Sequence, residues 1–443
     1  MSNRVQPRTL KGFRDYPPEL MIPRERIMET ARRVYRSYGY APIDTPALEY
    51  LEVLTGKGSE ETDKQLYHFE DQGGRAVGMR FDLTVPFARF AAQHAQGLGL
   101  PFKRYHVGTV WRGEKPQVGR YREFVQADFD TVGSTGVASD IESVAVLHDV
   151  VHACGFERFT IHLNHRGVLN GLLEKTSLTD RSTEVLRAID KLAKIGPDSV
   201  RDELRESAGA DDAQADALLE LASITGESTV VLDQVAKLIS GSEAGEAAVA
   251  RLRETLDGAL AAGVDASRFR IDPSIARGLD YYTGVVLETT LDDLPGIGSV
   301  ASGGRYDDLA GKYTNQTLPG IGASLGVDRL LAAMEELERL GAAQTPADAL
   351  VVFFAADRLK DYLRLAAELR TAGIGTEVFP EPKKLARQLQ YANRRGFRLA
   401  VIAGPDELER GECQLKQLAT GESVTVSLDA VSVEAQRALS VSS

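Results

Sequence analysis

The segment at residues 104–130, RYHVGTVWRGEKPQVGRYREFVQADFD, constrains the fold more than any other part of the chain. Its pattern predicts two strands joined by a charged loop, and side chains alternate between the two faces of a strand. One face of each strand is then polar, with Arg104, His106, Gly108, Val110 and Arg112 on the first strand and Arg122, Phe124, Gln126, Asp128 and Asp130 on the second. A structural hairpin more often has one apolar face and a shorter turn. The hairpin is therefore either a solvated sheet edge or a site that closes over an anion.

The chain length of 443 residues exceeds one ordinary hydrophobic core, so two or three domains are expected. Its 43% apolar and 26% charged residues are typical of a soluble globular protein. The net charge of −12 argues against nonspecific coating of nucleic acid but is compatible with a local basic groove. Two cysteines and seven scattered histidines predict neither a disulfide framework nor a zinc knuckle. Without a signal peptide or a membrane-spanning run, a reducing cytoplasm and no membrane partner are expected.

The N-terminal part of the chain predicts a helix over residues 20–38 and a strand at 41–45 that ends at Pro46. This region is either a domain edge or a dimer surface. After the hairpin, an amphipathic helix is expected at 139–153 and a strand at 157–163.

Residues 78–98 predict a strand, a turn at the letters DLT and a helix from Val85. Asp82 and Thr84 lie at the start of that helix. They either cap the helix or offer a carboxylate and a hydroxyl to the ammonium group of a substrate.

From about 166 to 262 the chain is rich in alanine, leucine and acidic residues, which predicts a helical insertion with solvated acidic faces. Strand patterns return afterwards and end in a glycine-rich strand. Gly320, Gly322 and Gly326 there either leave the backbone accessible to a nucleotide or serve close packing.

The C-terminal part follows a plausible linker at 341–348. Beyond it strands and helices alternate, which predicts a small α/β domain with a mostly parallel sheet. One of its helices carries a basic cluster that is either a solvated face or an RNA-facing one: Lys383, Lys384, Arg387, Arg394 and Arg395.

Four further motifs stand beside the hairpin. They are RFDLTVPFAR at 80–89, RGLDYYTG at 277–284, SGGRYDDL at 302–309 and GIGASLGVDRL at 320–330. With these motifs the chain resembles the histidyl-tRNA synthetases, a family of class II aminoacyl-tRNA synthetases, over nearly its whole length. RGLDYYTG is specific to the histidine enzymes within that class.

The resemblance implies an α+β catalytic domain built on a mostly antiparallel sheet, followed by a small α/β domain that binds the anticodon. Residues 40–50, the hairpin and residues 320–334 correspond to the three motifs of class II. The implied boundaries are 1–340 for the catalytic domain, about 166–262 for its helical insertion, 341–348 for the linker and 349–443 for the anticodon-binding domain.

The resemblance also implies the reaction and its partners. L-Histidine would attack the α-phosphate of ATP to give histidyl-adenylate and pyrophosphate, and the histidyl group would pass to the 3′ end of histidine tRNA. This chemistry needs positioning and charge neutralisation, and arginine suits it because its planar donors pair with carboxylate and phosphate. ATP would be a substrate accompanied by Mg²⁺, which would have few protein ligands. A cytoplasmic homodimer is the expected assembly.

Site roles follow from the same resemblance. Arg277 and Arg112 are the expected catalytic residues, with Arg277 stabilising the transition state and Arg112 holding the α-phosphate and the substrate carboxylate. The expected histidine-binding set is Asp82, Thr84, Arg112, Gln126, Asp130, Arg277, Tyr281 and Tyr282. The expected ATP-binding set is Arg112, Glu114, Arg120, Phe124 and Arg329, with Phe124 and Arg329 enclosing the adenine ring and Glu114 near its amino group.

Two features of the chain need comment in relation to the family, the aspartates at 82 and 130 and the residue at 117. Some members carry glutamate where this chain has Asp82 and Asp130, whereas the eukaryotic and archaeal type shares DLTVPFAR and a DFD-like ending. Gln117 lies in the hairpin loop, where the family reads the extra guanosine at the 5′ end of histidine tRNA. No segment resembles an editing domain, and a site that hydrogen-bonds both ring nitrogens of histidine rejects analogues by about 10⁴ to 10⁵.

Two pairs of neighbouring residues could have a purely structural role instead of a role in the site. Tyr281 and Tyr282 would ordinarily be core or interface aromatics, but beside RGLD they are expected in the histidine pocket. Arg305 and Tyr306 remain open between a supporting role and a site role.

Other functions share this fold. The main alternative is an inactive relative, either a regulatory subunit of histidine biosynthesis or a tRNA-sensing module. The regulatory subunit typically lacks the C-terminal domain and RGLDYYTG, both of which this chain has, and nothing here resembles a kinase or another effector beside a sensor. A threonyl or prolyl enzyme is a further alternative, and the missing zinc ligands count against the threonyl type.

Overall fold

The computed structural model describes residues 5–55, 64–275, 281–341 and 343–440. The chain divides into two compact units, Met1–Arg14 with Arg26–Ala333 and Asp15–Glu25 with Met334–Ser443. Within the described ranges no helix is both long and apolar enough to cross a membrane.

The predicted helices are found close to their expected bounds. The N-terminal one buries Ile27, Ala31, Val34 and Tyr35, the side chains that its spacing placed on one face. In chain order the described helices are α1 (Pro18–Ser37), α2 (Leu51–Leu54), α3 (Thr84–Leu98), α4 (Val137–Ala153), α5 (Arg166–Lys175), α6 (Ser182–Ile189), α7 (Leu192–Ala208, interrupted at Gly196), α8 (Asp212–Ser223), α9 (Ser228–Ile239), α10 (Glu243–Ala261), α11 (Val327–Glu336), α12 (Leu359–Thr371), α13 (Leu385–Arg395), α14 (Pro405–Arg410) and α15 (Val431–Ser440).

The strands form three sheets. In chain order they are β1 (Ala41–Pro42), β2 (Leu48–Tyr50), β3 (His68–Glu70), β4 (Ala76–Met79), β5 (Phe102–Trp111), β6 (Glu123–Val132), β7 (Phe159–His165), β8 (Phe269–Ile271), β9 (Val285–Leu291), β10 (Ser299–Arg305), β11 (Gly320–Gly326), β12 (Ala349–Val351), β13 (Thr376–Val378), β14 (Leu399–Ile402), β15 (Glu412–Gln417) and β16 (Ser423–Ser427).

The large sheet of the first unit has eight strands in the order β1-β5-β6-β11-β10-β9-β7-β8. The six interior strands pair antiparallel, whereas the edge strands β1 and β8 each pair parallel to their neighbour. The sheet is therefore mixed, and the expected α+β fold with a mostly antiparallel sheet holds in its coarser form, a large sheet with helices. β1 is shorter than the predicted strand at 41–45 and lies at the edge, where Pro42 is tolerated.

The hairpin of β5 and β6 brings the two predicted polar faces together. Arg104 stands opposite Asp130, His106 opposite Asp128, and Gly108 opposite Gln126. These side chains share one face of the sheet, so the prediction of a polar face is confirmed. The same face is largely buried rather than solvated, which excludes the solvated-edge interpretation.

The glycine strand β11 pairs with β6 on the other side of the hairpin. Gly322 lies opposite Asp130, and a Cβ atom there would stand 2.2 Å from Asp130 Oδ1 and 2.3 Å from the carbonyl oxygen of Phe129. Only glycine leaves room for that approach. Gly322 therefore serves close packing at the point where the hairpin carries its acidic side chains.

The strand expected before the DLT turn belongs to a separate sheet. β4 pairs with β2 and β3 in a three-stranded antiparallel sheet that the sequence analysis did not predict. The chain leaves β4 through Arg80, whose backbone amide donates to the carbonyl of Ala47 at 3.0 Å, and then enters α3.

The predicted helical segment lies between β7 and β8, where α5 to α10 follow one another. Its last helix is tied to the sheet by a buried carboxylate. Asp140 of α4 is fully buried and accepts from both Arg251 of α10, at 2.6 Å, and Arg305 at the end of β10, at 2.6 Å. Arg305 thus has a supporting contact, one of the two roles left open for it.

The second unit has a five-stranded sheet in the order β13-β12-β14-β15-β16. The first three strands are parallel, as predicted, but β15 and β16 form an antiparallel hairpin that the sequence analysis missed. The prediction of a mostly parallel sheet is therefore wrong for its last two strands. The strand LKQ, the turn TG and the strand VTV have the short hairpin pattern that could have revealed them. Val351, Tyr362, Leu399 and Leu415 are part of its buried core.

Candidate active site

Two adjoining cavities open between the hairpin, β10 and β11 in the first unit. The larger has a volume of about 250 Å³ and the smaller about 160 Å³, and we call them the large cavity and the small cavity. Arg112, Gln126, Ser324 and Arg329 line both, so a pair of guanidinium groups faces both spaces. Two joined cavities with shared cations suit two anionic substrates that have to meet.

The residues expected from sequence separate between these cavities. The large cavity is lined by Asp82, Thr84, Arg112, Gln126, Asp130, Tyr281 and Tyr282. The small cavity is lined by Arg112, Glu114, Arg120, Phe124 and Arg329. Arg277, expected in the catalytic and histidine-binding sets, lies outside the described residues. Gln117 lines neither cavity and is exposed in the hairpin loop, where its backbone and that of Arg120 exchange two hydrogen bonds.

Asp82 holds the start of α3 and also lines the large cavity. Its Oδ1 accepts from the backbone amide of Val85 at 3.0 Å, which caps the start of α3. Its Oδ2 faces the large cavity, where Tyr281 Oη donates to it at 3.4 Å. Burial raises the pKa of Asp82 to about 6, against the opposing effects of the Val85 amide and Arg112.

Asp130 lies on the same buried face. Arg104 Nη2 stands 2.5 Å from its Oδ2, and Tyr306 Oη donates to its Oδ1. Burial raises the pKa of Asp130, and the charge of Arg104 opposes that rise. The carboxyl group is therefore held from two sides before any ligand arrives.

Three tyrosines form an aromatic wall of the large cavity. The rings of Tyr281 and Tyr282 pack at 5.1 Å with an interplanar angle of 76°, and Tyr281 packs edge-on against Tyr306 at 6.1 Å. Burial raises the pKa of each of the three phenols. They stay protonated at neutral pH, so their hydroxyl groups can donate as well as accept.

Gln126 bridges the hairpin and the glycine strand. Its Nε2 donates to Ser324 Oγ at 2.8 Å, which fixes the amide between the two cavities. Its Oε1 is buried and has no hydrogen-bond partner within the described part of the chain. A buried acceptor without a partner is costly, so this atom is suited to a ligand donor.

Three arginines and two carboxylates line the small cavity. Arg112 Nε donates to the carbonyl of Phe81 at 2.9 Å, and its guanidinium carbon lies 5.2 Å from the centre of the Phe124 ring. Arg329 donates to the carbonyl of Ser299. Burial and the neighbouring charges of Arg120 and Arg112 lower the pKa of Arg329 to about 10, so it still carries its charge at neutral pH.

Some of these contacts were missed by sequence reasoning. The role of Tyr306 was left open, and its hydroxyl group donates to Asp130. Arg104 was placed on the correct face of the strand without a role, and it forms an ion pair with Asp130. Asp328 had no predicted role, yet its Oδ2 accepts from the backbone amide of Val125 at 2.6 Å and fixes the start of α11, beside Arg329. Strand parity was the only usable signal in the sequence for these contacts. It does not reveal the contact of Tyr306 with Asp130, because the two residues are 176 positions apart.

Few protein side chains in this region are placed to act as ligands of a metal ion. Across the described ranges, no group of three or more histidine, cysteine, aspartate or glutamate side chains is placed to hold a metal. The carboxylates that line the cavities are Asp82, Asp130 and Glu288 in the large one and Glu114 and Asp328 in the small one.

Comparisons with known proteins identify the family. Family models described as Histidyl-tRNA synthetase and Anticodon binding domain match residues 12–330 and 348–437. The chain is similar to the histidine-tRNA ligase of Rhodopirellula baltica, with 61% identity over 95% of this chain and 96% of that one. It is also similar to the structure of histidyl-tRNA synthetase from Nostoc sp. PCC 7120, with a TM-score of 0.89 and 34% identity over 98% of this chain and 100% of that one.

A further solved structure shows that the fold alone does not distinguish a synthetase from a regulatory subunit. An ATP phosphoribosyltransferase regulatory subunit/histidyl-tRNA synthetase from Bacillus halodurans C has a TM-score of 0.74 and 22% identity, over 88% of this chain and 97% of that one. At that identity the likeness concerns the fold only. The large mixed sheet with helices is the fold of a class II aminoacyl-tRNA synthetase, and the family model and the relatives of higher identity place the chain in that class. Within that class, the chain belongs to the histidyl-tRNA synthetase family.

Proposed function

We propose that the large cavity binds histidine, that the small cavity binds ATP, and that the two substrates react where the cavities meet. The overall activity, ligation of histidine to tRNA, is that of the family to which the chain belongs. One observation carries the assignment to cavities: the expected histidine ligands and the expected ATP ligands line two different but joined spaces, with Arg112, Gln126 and Arg329 common to both.

Histidine would be held at both ends in the large cavity. Asp82 and Thr84 would accept from the ammonium group, and the unpartnered Oε1 of Gln126 offers a further acceptor. Asp130 would accept from one ring N–H, and the hydroxyl of Tyr281 or Tyr282 would meet the other ring nitrogen. A site that contacts both ring nitrogens leaves buried groups unpaired when an analogue lacks them, which is the basis of selectivity.

ATP would lie in the small cavity with its adenine between Phe124 and Arg329 and its amino group near Glu114. Arg120 would contact the phosphates. The shared position of Arg112 supports a double role, on the α-phosphate and on the histidine carboxylate, because a guanidinium pairs with two acceptors at once.

The activation step would then be a substitution at phosphorus. A carboxylate oxygen of histidine forms a bond to the α-phosphorus, the bond to the bridging oxygen of pyrophosphate breaks, and negative charge builds on the α-phosphate oxygens. Arg112 and, from outside the described residues, Arg277 would neutralise that charge. No side-chain nucleophile takes part in this step.

Mg²⁺ would enter with ATP and draw charge from its phosphate oxygens. Because the described residues hold no cluster of three ligating side chains, most of its ligands would be phosphate and water. Glu288, which lines the large cavity, is a carboxylate that could occupy one coordination position.

The remaining roles concern tRNA and assembly. We propose the boundaries 1–340 for the catalytic domain, with the insertion at about 166–262, and 349–443 for an anticodon-binding domain, which is supported by the match of residues 348–437 to an anticodon binding model. Gln117, exposed in the hairpin loop, would meet the acceptor end of histidine tRNA. The expected homodimer, formed in the cytoplasm where tRNA is charged, would use the region at 40–50.

Histidine-dependent exchange of pyrophosphate into ATP tests the proposed reaction. Purified protein would be assayed with each of the common amino acids in turn, with and without Mg²⁺. We expect exchange with histidine and Mg²⁺ only, since the pocket groups match an imidazole. Exchange driven by another amino acid, or histidine binding without any exchange, would contradict the proposal; the second outcome is that of a regulatory subunit.

A further inference from the structure

One buried cation beside the large cavity has no part in the proposed chemistry. Arg104 on β5 has no exposed surface and does not line either cavity. Its guanidinium carbon lies 4.3 Å from the centre of the Phe87 ring on α3, so an aromatic ring covers one side of the charged group. Burying a guanidinium costs free energy, and a buried ion pair is weak evidence of a stabilising role. The presence of Arg104 at this position therefore needs another explanation.

One partner of Arg104 lines the large cavity, and the other lies in the chain between two residues that line it. Its Nη2 stands 2.5 Å from Asp130 Oδ2 on β6, and the same nitrogen donates to the carbonyl of Leu83 at 3.3 Å. Leu83 is the residue between Asp82 and Thr84. Arg104 Nε and Nη1 have no hydrogen-bond partner among the described residues, so the polar contacts of this side chain there are the ion pair with Asp130 and the hydrogen bond to Leu83.

We propose that Arg104 is a positioning residue for histidine: it sets the separation between the carboxylate that meets the imidazole and the turn that meets the ammonium group. The inference rests on the proposed function of the large cavity. Asp130 serves one end of the substrate, and Asp82 with Thr84 serves the other, so a single guanidinium bonded to both walls fixes the length of ligand that fits between them.

The mode of action follows from what Arg104 does not touch. Because it contacts neither the ATP cavity nor the reacting atoms, it helps the ground state and the transition state equally through histidine binding. Loss of such uniform binding raises KM and leaves kcat largely unchanged. Its effect is therefore expected in the KM for histidine and not in the KM for ATP.

Steady-state pyrophosphate exchange separates these parameters. We expect Arg104→Met to raise the KM for histidine by at least about 30-fold while the KM for ATP and kcat at saturating histidine change by less than about threefold. Arg104→Lys keeps a charge but loses the planar donor group, so its KM for histidine should rise by about fivefold or more and stay below that of Arg104→Met.

A matched control lies on the same helix as Phe87. Arg89 on α3 forms an ion pair with the buried Glu49 and lines neither cavity. Arg89→Met removes a comparable arginine and should leave the KM for histidine within about twofold of the unsubstituted protein. An equal rise in both methionine variants would mean that general packing is responsible, and would overturn the proposal.

A double variant tests whether Arg104 acts through Asp130. Asp130→Asn alone should raise the KM for histidine, and adding Arg104→Met should multiply that value by clearly less than its separate effect, since the two residues share a contact. If Arg104→Met does not fold, the lysine variant decides, and an unchanged KM for histidine in that variant overturns the proposal. Failure of the unsubstituted protein to show histidine-dependent exchange would instead refute the proposed function.

Discussion

Three aspartates are buried beside the large cavity, and Asp128 is the one without a proposed ligand. It stands between His106 on β5 and Ser324 on β11 in the register of the sheet. Burial raises the pKa of Asp128 from 3.8 to about 7, with the charge of Arg104 opposing the rise and that of Asp130 adding to it. The native protein therefore keeps a proton on this carboxyl that the unfolded chain loses at lower pH.

The pKa of Asp128 makes a prediction about stability and pH. Between about pH 4 and pH 7 the native state binds more protons than the unfolded state, so the free energy of unfolding falls as pH rises through this range. From pH 5 to pH 8 this group alone should lower the free energy of unfolding by roughly 2 to 3 kcal/mol. Asp128→Asn cannot titrate, so it should remove that part of the pH dependence.

Denaturant unfolding of the two proteins at pH 5 and pH 8 measures the difference. Asp180→Asn, on an exposed residue of the helical segment, is the matched control and should leave the pH dependence unchanged. If the free energy of unfolding falls between pH 5 and pH 8 by the same amount in Asp128→Asn as in the unsubstituted protein, Asp128 is ionised at neutral pH.

Arg277 carries a prediction that comes from the family resemblance. Arg277→Ala should lower kcat for exchange by at least about 100-fold with little change in the KM for histidine, because the guanidinium is needed where charge develops. Arg270→Ala, on an exposed residue of β8, is the control and should keep both parameters. A loss seen only as weaker histidine binding would contradict the role in the transition state.

At the scale of elements, the hairpin and the glycine strand together build the site. Gly322 leaves the space that Asp130 and the Phe129 carbonyl occupy, and Gly303 on β10 likewise allows the Gly322 carbonyl to approach. The three strands can therefore pack closely where their side chains converge.

This packing predicts that Gly322→Ala damages the site. Its Cβ would lie 2.2 Å from Asp130 Oδ1 and 2.3 Å from a backbone oxygen, which cannot move aside without shifting β6. We expect kcat/KM for histidine in exchange to fall by at least about 100-fold. Gly97→Ala on α3 meets nothing within 4 Å and should leave exchange unchanged. Wild-type kinetics in Gly322→Ala would show that the strands do not approach as described.

Part of this arrangement could be predicted from the sequence and part could not. Alternation along β5 and β6 was enough to place Arg104, Asp128 and Asp130 on one face, because a strand has a fixed period and both strands belong to one hairpin. The contact of Tyr306 with Asp130 and that of Asp328 with Val125 join positions 176 and 203 residues apart. No local pattern records such contacts, and the same holds for the small sheet of β2, β3 and β4.

At the scale of the whole molecule, the chain has two compact units that are proposed to divide the reaction between them. The first contains both cavities, and the second carries α13 with its basic side chains. Lys384, Arg387 and Arg394 on and beside α13 are exposed, as an RNA-binding surface requires.

Deleting residues 345–443 should therefore separate the two steps. We expect aminoacylation of histidine tRNA to fall by at least about 100-fold while exchange falls by less than about tenfold. Equal losses in both assays would mean that the C-terminal part supports folding instead of binding tRNA.

A charge reversal gives the same test without a deletion. Lys384→Glu with Arg394→Glu should raise the KM for tRNA by at least about tenfold and leave exchange unchanged, because phosphate contacts depend on positive charge. Arg364→Glu, at a side chain that is 71% exposed on α12, is the matched control. A similar rise in the control would point to net charge rather than to this surface.

The central claim is that histidine and ATP occupy the large and the small cavity. A crystal structure with a non-hydrolysable analogue of histidyl-adenylate tests it most directly. We predict density for the imidazole beside Asp130 and the paired Tyr281 and Tyr282, and for the adenine between Phe124 and Arg329, with the link between them at Arg112. An analogue bound outside these cavities, or bound with its two ends exchanged, would contradict the account.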